Sequence, residues 1–309
     1  MSGNRSKILV VAVAGTTALI LLLRSRRKSH ISFTAAGIDL QRYPIHDLSS
    51  PAGKSVIEEA RRALATTGCA SFPGFLTDEA TAAAAAETQE QARDAFVTDD
   101  SHTAWQLPQD SDFPAKHVRN TMMRTRVASL AYDQVGYSLR ALYTSDLLLR
   151  FIEAVVGRKP GSMHRLADPL GACSVNVFRP GWSHAWHFDE SEYTTTLCLQ
   201  QAEVGGSFVF TPPLRSAQAE LKGNEVAAVL RAHSEYSPES EAHVAAPTVT
   251  TARFEPGTLQ IFGGRYCLHC VEEISGTRDR LVAVLCFATE PGVVNSASVQ
   301  KMFWGRTAT

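Results

Sequence analysis

The stretch HAWHFDE, residues 184–190, decides how this chain is read. His187 and Asp189 stand two positions apart, so on an extended strand both side chains leave the same face. Far downstream, LHC at 268–270 supplies His269 from a second strand-like segment, and Arg280 follows eleven positions later. Two imidazoles and one carboxylate on one side of a divalent iron leave the opposite positions open for a cosubstrate and for oxygen.

Working outward from that stretch, the hydrophobic period changes from helical to alternating at about residue 160. Candidate strands are 171–178 (GACSVNVF), 183–189, 192–200 (EYTTTLCLQ), 206–211 (GSFVFT), 249–255, 258–262 and 280–288 (RLVAVLCFA). Threonine, valine and aromatic residues dominate them, as half-buried pleated surfaces prefer. Glycine and proline punctuate at RPGW (179–182), VGG (204–206), TPP (211–213), EPG (255–257) and GG (263–264). Many short strands with regular turns indicate a sandwich or jelly roll. The segment 214–247, containing NEVAAVLRAHSEY, reads as a helical insertion over one end.

The first half is helical in pattern. KSVIEEARRALATT, 54–67, spaces Val56, Ile57, Ala60 and Leu64 along one helix face, and Gly68 stops the run. Pro44 and Pro51 oppose an earlier start. CASFPGFL, 69–76, reads as a short strand and turn, and 78–96 as a helix with Asp78 as N-cap. The polar, irregular segment 97–127 is expected to cover a site entrance, and helical periodicity resumes over 128–157. The whole divides into an apolar segment with basic flanks (1–28), a tether (29–50) and one domain (51–309). That domain comprises helical support at 51–160 and a jelly-roll core at 161–290.

At 309 residues, 44% hydrophobic and 20% charged, the chain is long and apolar enough for a substantial core. A formal net charge of −1, with no basic run after residue 28, excludes a general nucleic-acid binder. Six scattered cysteines, mostly in apolar runs, read as buried thiols rather than a disulfide framework.

Residues 8–23, ILVVAVAGTTALILLL, carry no charge and are flanked by basic residues on both sides. That is just short of a typical span, but Lys7 and Arg24 can snorkel, so a single uncleaved membrane anchor is expected. A signal peptide cleaved after Ala12-Val13-Ala14 is the competing reading. Arg24, Arg26, Arg27 and Lys28 then place the folded domain in the cytosol.

RPGWSHAWHFDESEYTTTLCLQ (179–200), GGSFVF (205–210) and FEPGTLQIFGGRYCLHCVEEISGTRDRLVAVLCF (254–287) together resemble the Fe(II)/2-oxoglutarate-dependent oxygenase superfamily. The likeness covers roughly 170–290 and is greatest to the branch acting on free amino acids and related small molecules, which includes amino-acid halogenases. It implies a double-stranded β-helix, that is, a cupin-like jelly roll, mainly β with α, buttressed by N-terminal helices. It further implies iron ligation by His187, Asp189 and His269, and a contact from Arg280 to the distal carboxylate of 2-oxoglutarate. Asn176, inward on the preceding strand, is a second cosubstrate candidate. With O2 as the oxidant, such enzymes release succinate and CO2. Halogenases of this type lack the carboxylate ligand. Asp189 is present, so hydroxylation or desaturation of a small polar substrate, such as an amino acid, is expected.

His184 and Glu190 flank the first two ligands and are candidate substrate contacts, with a rim histidine and a solvated glutamate as the plainer alternative. Arg265 either binds a substrate carboxylate or ties down the Gly263-Gly264 turn. Trp182 and Trp186 are expected to wall the barrel. Cys267 and Cys270 form a CxxC suggestive of a zinc deaminase, but that chemistry needs His-x-Glu and a proline before the first cysteine. The non-enzymatic alternative is a cupin-like, catalytically silent binding or scaffold module at a membrane.

Overall fold

The computed structural model describes residues 36–308. Helix α1 (Pro51–Thr67) begins at a proline, whose missing amide is no loss in a first turn, and Ser50 caps it by accepting from the Gly53 amide. Pro51 thus starts the helix it was expected to oppose. Gly68 ends it at φ 83°, in the left-handed region. In α2 (Asp78–Gln91) Thr77, not Asp78, is the cap; Asp78 and Glu79 sit in the first turn, where the helix dipole favours them. The region expected to be helical over 128–157 holds α3 (Tyr137–Tyr143) and α4 (Asp146–Val155), while its first residues complete a strand.

Seven strands form the larger sheet, in the order β1 (Cys69–Phe72), β11 (Leu259–Phe262), β7 (Thr194–Gln200), β14 (Arg280–Leu285), β5 (Cys173–Phe178), β3 (Met123–Leu130) and β2 (Phe96–His102). The smaller sheet runs β10 (Thr250–Thr251), β9 (Phe208–Phe210), β12 (His269–Val271), β6 (His184–His187). Two short ribbons pair β8 (Val204–Gly205) with β13 (Ile274–Ser275), and β4 (His164–Arg165) with β15 (Phe287–Ala288). Neighbouring strands are antiparallel throughout both sheets. The expected jelly roll is present.

Side-chain alternation divides each strand of the larger sheet between two surroundings. Val175 and Val177 on β5, Leu197 and Leu199 on β7, and Leu281, Ala283 and Leu285 on β14 enter one core with Leu142, Leu148, Phe151 and Ile152 of α3 and α4. Ser174, Asn176, Thr194, Thr196, Arg280, Val282 and Val284 take the other face and line the barrel cavity. Burying a Leu or Phe contributes about 1.5–3 kcal/mol, and a one-residue slip would turn every such side chain into the cavity, so the register is strongly fixed. On the smaller sheet, α5 (Gly223–His233) lays Val226, Val229 and Leu230 against Trp186, Phe188, Val209 and Leu268. The insertion therefore covers that sheet's outer face.

Three expectations are corrected. The segment 97–127, expected to be irregular, contributes β2 and the start of β3, which pair along seven positions at the sheet edge. Within the supposed tether, Ile38 and Ile45 are buried in the main core. No helix among the described residues is long and apolar enough to cross a membrane, so a single N-terminal anchor, and the cytosolic orientation deduced from it, is not supported; residues 8–23 themselves lie outside the described residues.

Candidate metal centre

Strands β6 and β12 are neighbours, and their register sets His187 directly opposite His269. Asp189 follows β6 and is held by its own backbone, whose amide donates to the Gly264 carbonyl at 3.0 Å. Asp189 Oδ1 lies 3.3 Å from His187 Nε2 and 3.4 Å from His269 Nε2. These three are the side chains among the described residues grouped to hold a metal, with ligand atoms within 4.8 Å of one another.

The donor set suits a divalent first-row ion. His187 Nδ1 lies 2.7 Å from the Ala185 carbonyl and His269 Nδ1 2.9 Å from the Cys267 carbonyl. A carbonyl can only accept, so each Nδ1 carries the proton and each Nε2 lone pair faces the shared position. Burial, then the neighbouring His269, pushes His187 below the ordinary histidine range, which keeps it neutral. Burial alone would raise the Asp189 carboxyl, but His269 and His187 outweigh it and hold it well below its usual range. Its other oxygen, Oδ2, accepts from the Thr194 hydroxyl. Two imidazole nitrogens and one carboxylate oxygen are therefore presented together.

The triad opens into a cavity enclosing about 170 Å³, and Arg280 lies in its wall. Arg280 is 4% exposed, and its side chain forms no hydrogen bond or ion pair among the described residues. Its guanidinium rests instead against the Phe178 and Phe254 rings, at 5.3 and 5.7 Å from their centroids. Burial lowers its pKa to about 10, so it stays cationic at neutral pH. Asn176 also lines the cavity; its Oδ1 accepts from Ser129 at 3.0 Å, and nothing among the described residues pairs with its amide nitrogen.

The remaining candidates separate. His184 and Glu190 line the cavity. The His184 ring stacks on His187 with centroids 3.9 Å apart, and its buried Nε2 has no partner. Arg265 does not line it: its guanidinium is spent on the Glu190 carbonyl, tying down the loop after Asp189. Trp182 and Trp186 are buried outside it, Trp182 between Arg126 and Arg179. Cys267 and Cys270 are buried, free thiols pushed up by desolvation, Cys267 to about 12, and neither joins the metal-ligating group.

Sequence reasoning missed two contributors. His102 on β2 stands edge-on to both His184 and His187 and contacts Thr125 at 2.6 Å. The C-terminal helix α6 (Ala297–Trp304) closes one side of the cavity with Val299, Phe303 and Trp304. By contrast, no residue of 214–247 lines it, and the segment 97–127, expected to cover the entrance, contributes Gln106 alone.

The chain matches the family model described as Halogenase D over residues 52–303. No curated protein matches it. Among solved structures it is similar to the non-haem α-ketoglutarate-dependent epimerase SnoN from nogalamycin biosynthesis, at 16% identity and TM-score 0.50, over 76% of this chain and 83% of that one. It is likewise similar to AviO1 from Streptomyces viridochromogenes Tue57, at 14% identity and TM-score 0.50, over 79% and 97%. At such identities the likeness is one of fold.

Proposed function

The chain belongs to the Halogenase D family, and from that premise we propose that it is an Fe(II)- and 2-oxoglutarate-dependent dioxygenase that hydroxylates a small polar substrate such as an amino acid. The observation that carries this reading is the convergence of His187 Nε2, Asp189 Oδ1 and His269 Nε2 on one point at the wall of a cavity. Those three side chains would hold the iron. With Fe(II), 2-oxoglutarate and O2 bound, such a site oxidises an unactivated C–H bond and releases succinate and CO2.

The protein's own residues supply orientation, charge and dryness. Arg280 offers a planar, unspent fork to the distal carboxylate of the cosubstrate, and the low-dielectric surroundings strengthen that contact. Asn176 adds an amide donor on the same side. Phe208 and Phe262 flank His269, with ring centroids 5.6 and 5.0 Å away, and keep water from its open side. His184 and Glu190 present an imidazole nitrogen and a carboxylate to the substrate. Asp189 fills the position that halogenases of this type leave to chloride, so hydroxylation is favoured over halogenation despite the family's name.

Titrating the anaerobic Fe(II) protein with 2-oxoglutarate tests the reading: a metal-to-ligand absorption band is expected, lost in His187→Ala and His269→Ala. Its absence in the unaltered protein would end the proposal. A succinate-release screen against amino acids and related metabolites then identifies the substrate, and chloride incorporation in the products would reverse the choice of hydroxylation.

A further inference from the structure

Asp168 lies in the turn before β5 at 1% exposure and forms no ion pair among the described residues. Its two oxygens do different things. Oδ1 accepts the amides of Leu170 and Gly171, at 2.8 and 3.0 Å, and so closes the local turn. Oδ2 accepts the Asn295 amide at 2.8 Å and Gln300 Nε2 at 3.0 Å, both from the far end of the chain. Burial alone would raise this carboxyl, but the four donations outweigh it and hold it below the usual range.

The segment held by Oδ2 walls the metal cavity through Asn295, Val299, Phe303 and Trp304, and Gly171, held by Oδ1, lines it beside them. The fit between the two is close. A Cβ on Gly171 would stand 2.1 Å from Asn295 Nδ2 and 2.6 Å from Trp304 Cη2. Other ties hold the segment as well: Thr98, itself buried, donates to the Met302 carbonyl, Trp304 packs with Ala131 and Leu170, Ser296 donates to Glu190 at 3.4 Å, and Arg306 pairs with Asp133 at the surface.

We propose that Asp168 is a positioning residue, a buried latch whose Oδ2 holds the C-terminal helix shut as the movable wall of the substrate chamber. Calling the chamber the substrate's rests on the dioxygenase reading; the latch itself does not. The Oδ2 latch is then one control on access to the chamber, at a carboxylate outside the proposed ligand set.

The chain carries its own probe. Of the six cysteines, Cys286 alone is not fully buried, and it lines the chamber. Its alkylation by N-ethylmaleimide in the folded full chain, followed by mass spectrometry and corrected for the thiolate fraction that the Asp168 charge lowers, reports opening of the wall without iron, cosubstrate or substrate. Asp168→Asn keeps an acceptor at the Oδ1 position and sets an N–H₂ against the donors of Asn295 and Gln300. Losing that buried, charge-assisted pairing should raise the alkylation rate by roughly ten- to a hundredfold. Amide exchange over 295–304 should rise with it, while exchange in 173–178 stays unchanged. The double variant D168N/Q300E gives the new N–H₂ a carboxylate partner and should return the rate most of the way to that of the unaltered protein. Should Asp168→Asn fail to fold, Gln300→Leu removes one bond of the latch and should raise the rate by a smaller factor. An unchanged rate in a folded latch variant overturns the proposal, as does an increase that D168N/Q300E leaves in place. If Fe(II) and 2-oxoglutarate fail to bind while the thiol rates behave as described, the dioxygenase reading falls and the latch stands.

Discussion

A Cβ built on Gly264 would stand 2.2 Å from Asp189 Oδ2 and 2.6 Å from Thr194 Oγ1, so the carboxylate occupies space that only glycine at 264 leaves open. The backbone at 264 is not in the left-handed region, so steric volume alone excludes a side chain there. Gly264→Ala should push the carboxylate off its seat and weaken Fe(II) binding by about 10- to 100-fold, the usual cost of disturbing a residue that orients a ligand. Thr194→Val should act in the same direction, because Oδ2 loses its donor, and Thr194→Ser should restore binding. Anaerobic Fe(II) titration measures all three. Wild-type affinity in Gly264→Ala would show that the carboxylate does not need this seat.

Arg280 is buried, cationic and without an anionic partner among the described residues, which costs stability that the Phe178 and Phe254 rings recover only in part. Arg280→Met should therefore raise the melting temperature of the cosubstrate-free protein, by about 2–4 °C for each kcal/mol gained. The same variant should weaken 2-oxoglutarate binding by roughly 100-fold, as loss of a charge-assisted contact implies, and leave Fe(II) affinity unchanged. Calorimetry and the absorption titration give the two readouts. A lower melting temperature would mean that Arg280 serves the fold rather than the cosubstrate.

The grouping of His187, Asp189 and His269 was legible because part of its signal is local, a spacing of two on a strand, and the rest is a histidine on a second strand and an arginine opening a third. Strand alternation was equally legible where one face met the helical core, as on β5, β7 and β14. It failed on β2, whose Asp99, Asp100 and Ser101 are poor strand formers with no apolar period. That ladder is held instead by its pairing with β3 and by Arg124 and Arg126 on Asp99, at 2.8 and 3.2 Å. The C-terminal wall was invisible for a different reason. Its hold on Asp168 spans a sequence separation of 127 residues at Asn295, and nothing local marks either end.

Asp168 also sets a pH dependence. Its folded-state carboxyl lies below the ordinary value of about 3.9 that the unfolded chain keeps. Below that value the unfolded chain binds the proton first, so the residue's contribution is complete above about pH 4 and is lost as pH falls through the folded-state value. The stability difference between the unaltered protein and Asp168→Asn should be constant from about pH 7 to 5 and narrow below about pH 4. Urea unfolding across that range measures it. A gap that persists at low pH would assign the stabilisation to something other than the carboxylate.

Thr125 joins β3 to the strand that carries the first ligand. Its hydroxyl oxygen accepts the Ala185 amide at 3.0 Å, and its proton goes to His102 Nε2, because His102 Nδ1 donates to the Thr103 carbonyl at 3.0 Å. Ala185 in turn offers the carbonyl that accepts from His187 Nδ1. One hydroxyl thus fixes the residue that aims the ligand. Thr125→Val keeps the shape but strands the Ala185 amide and the His102 nitrogen in a dry site, a loss of about 1–3 kcal/mol. Thermal unfolding of the metal-free protein should show that loss, and Fe(II) affinity should fall by about tenfold. Thr125→Ser, which keeps the hydroxyl and gives up only a methyl group, should recover the affinity. Loss of stability with unaltered Fe(II) binding would reduce the hydroxyl to a structural tie between strands.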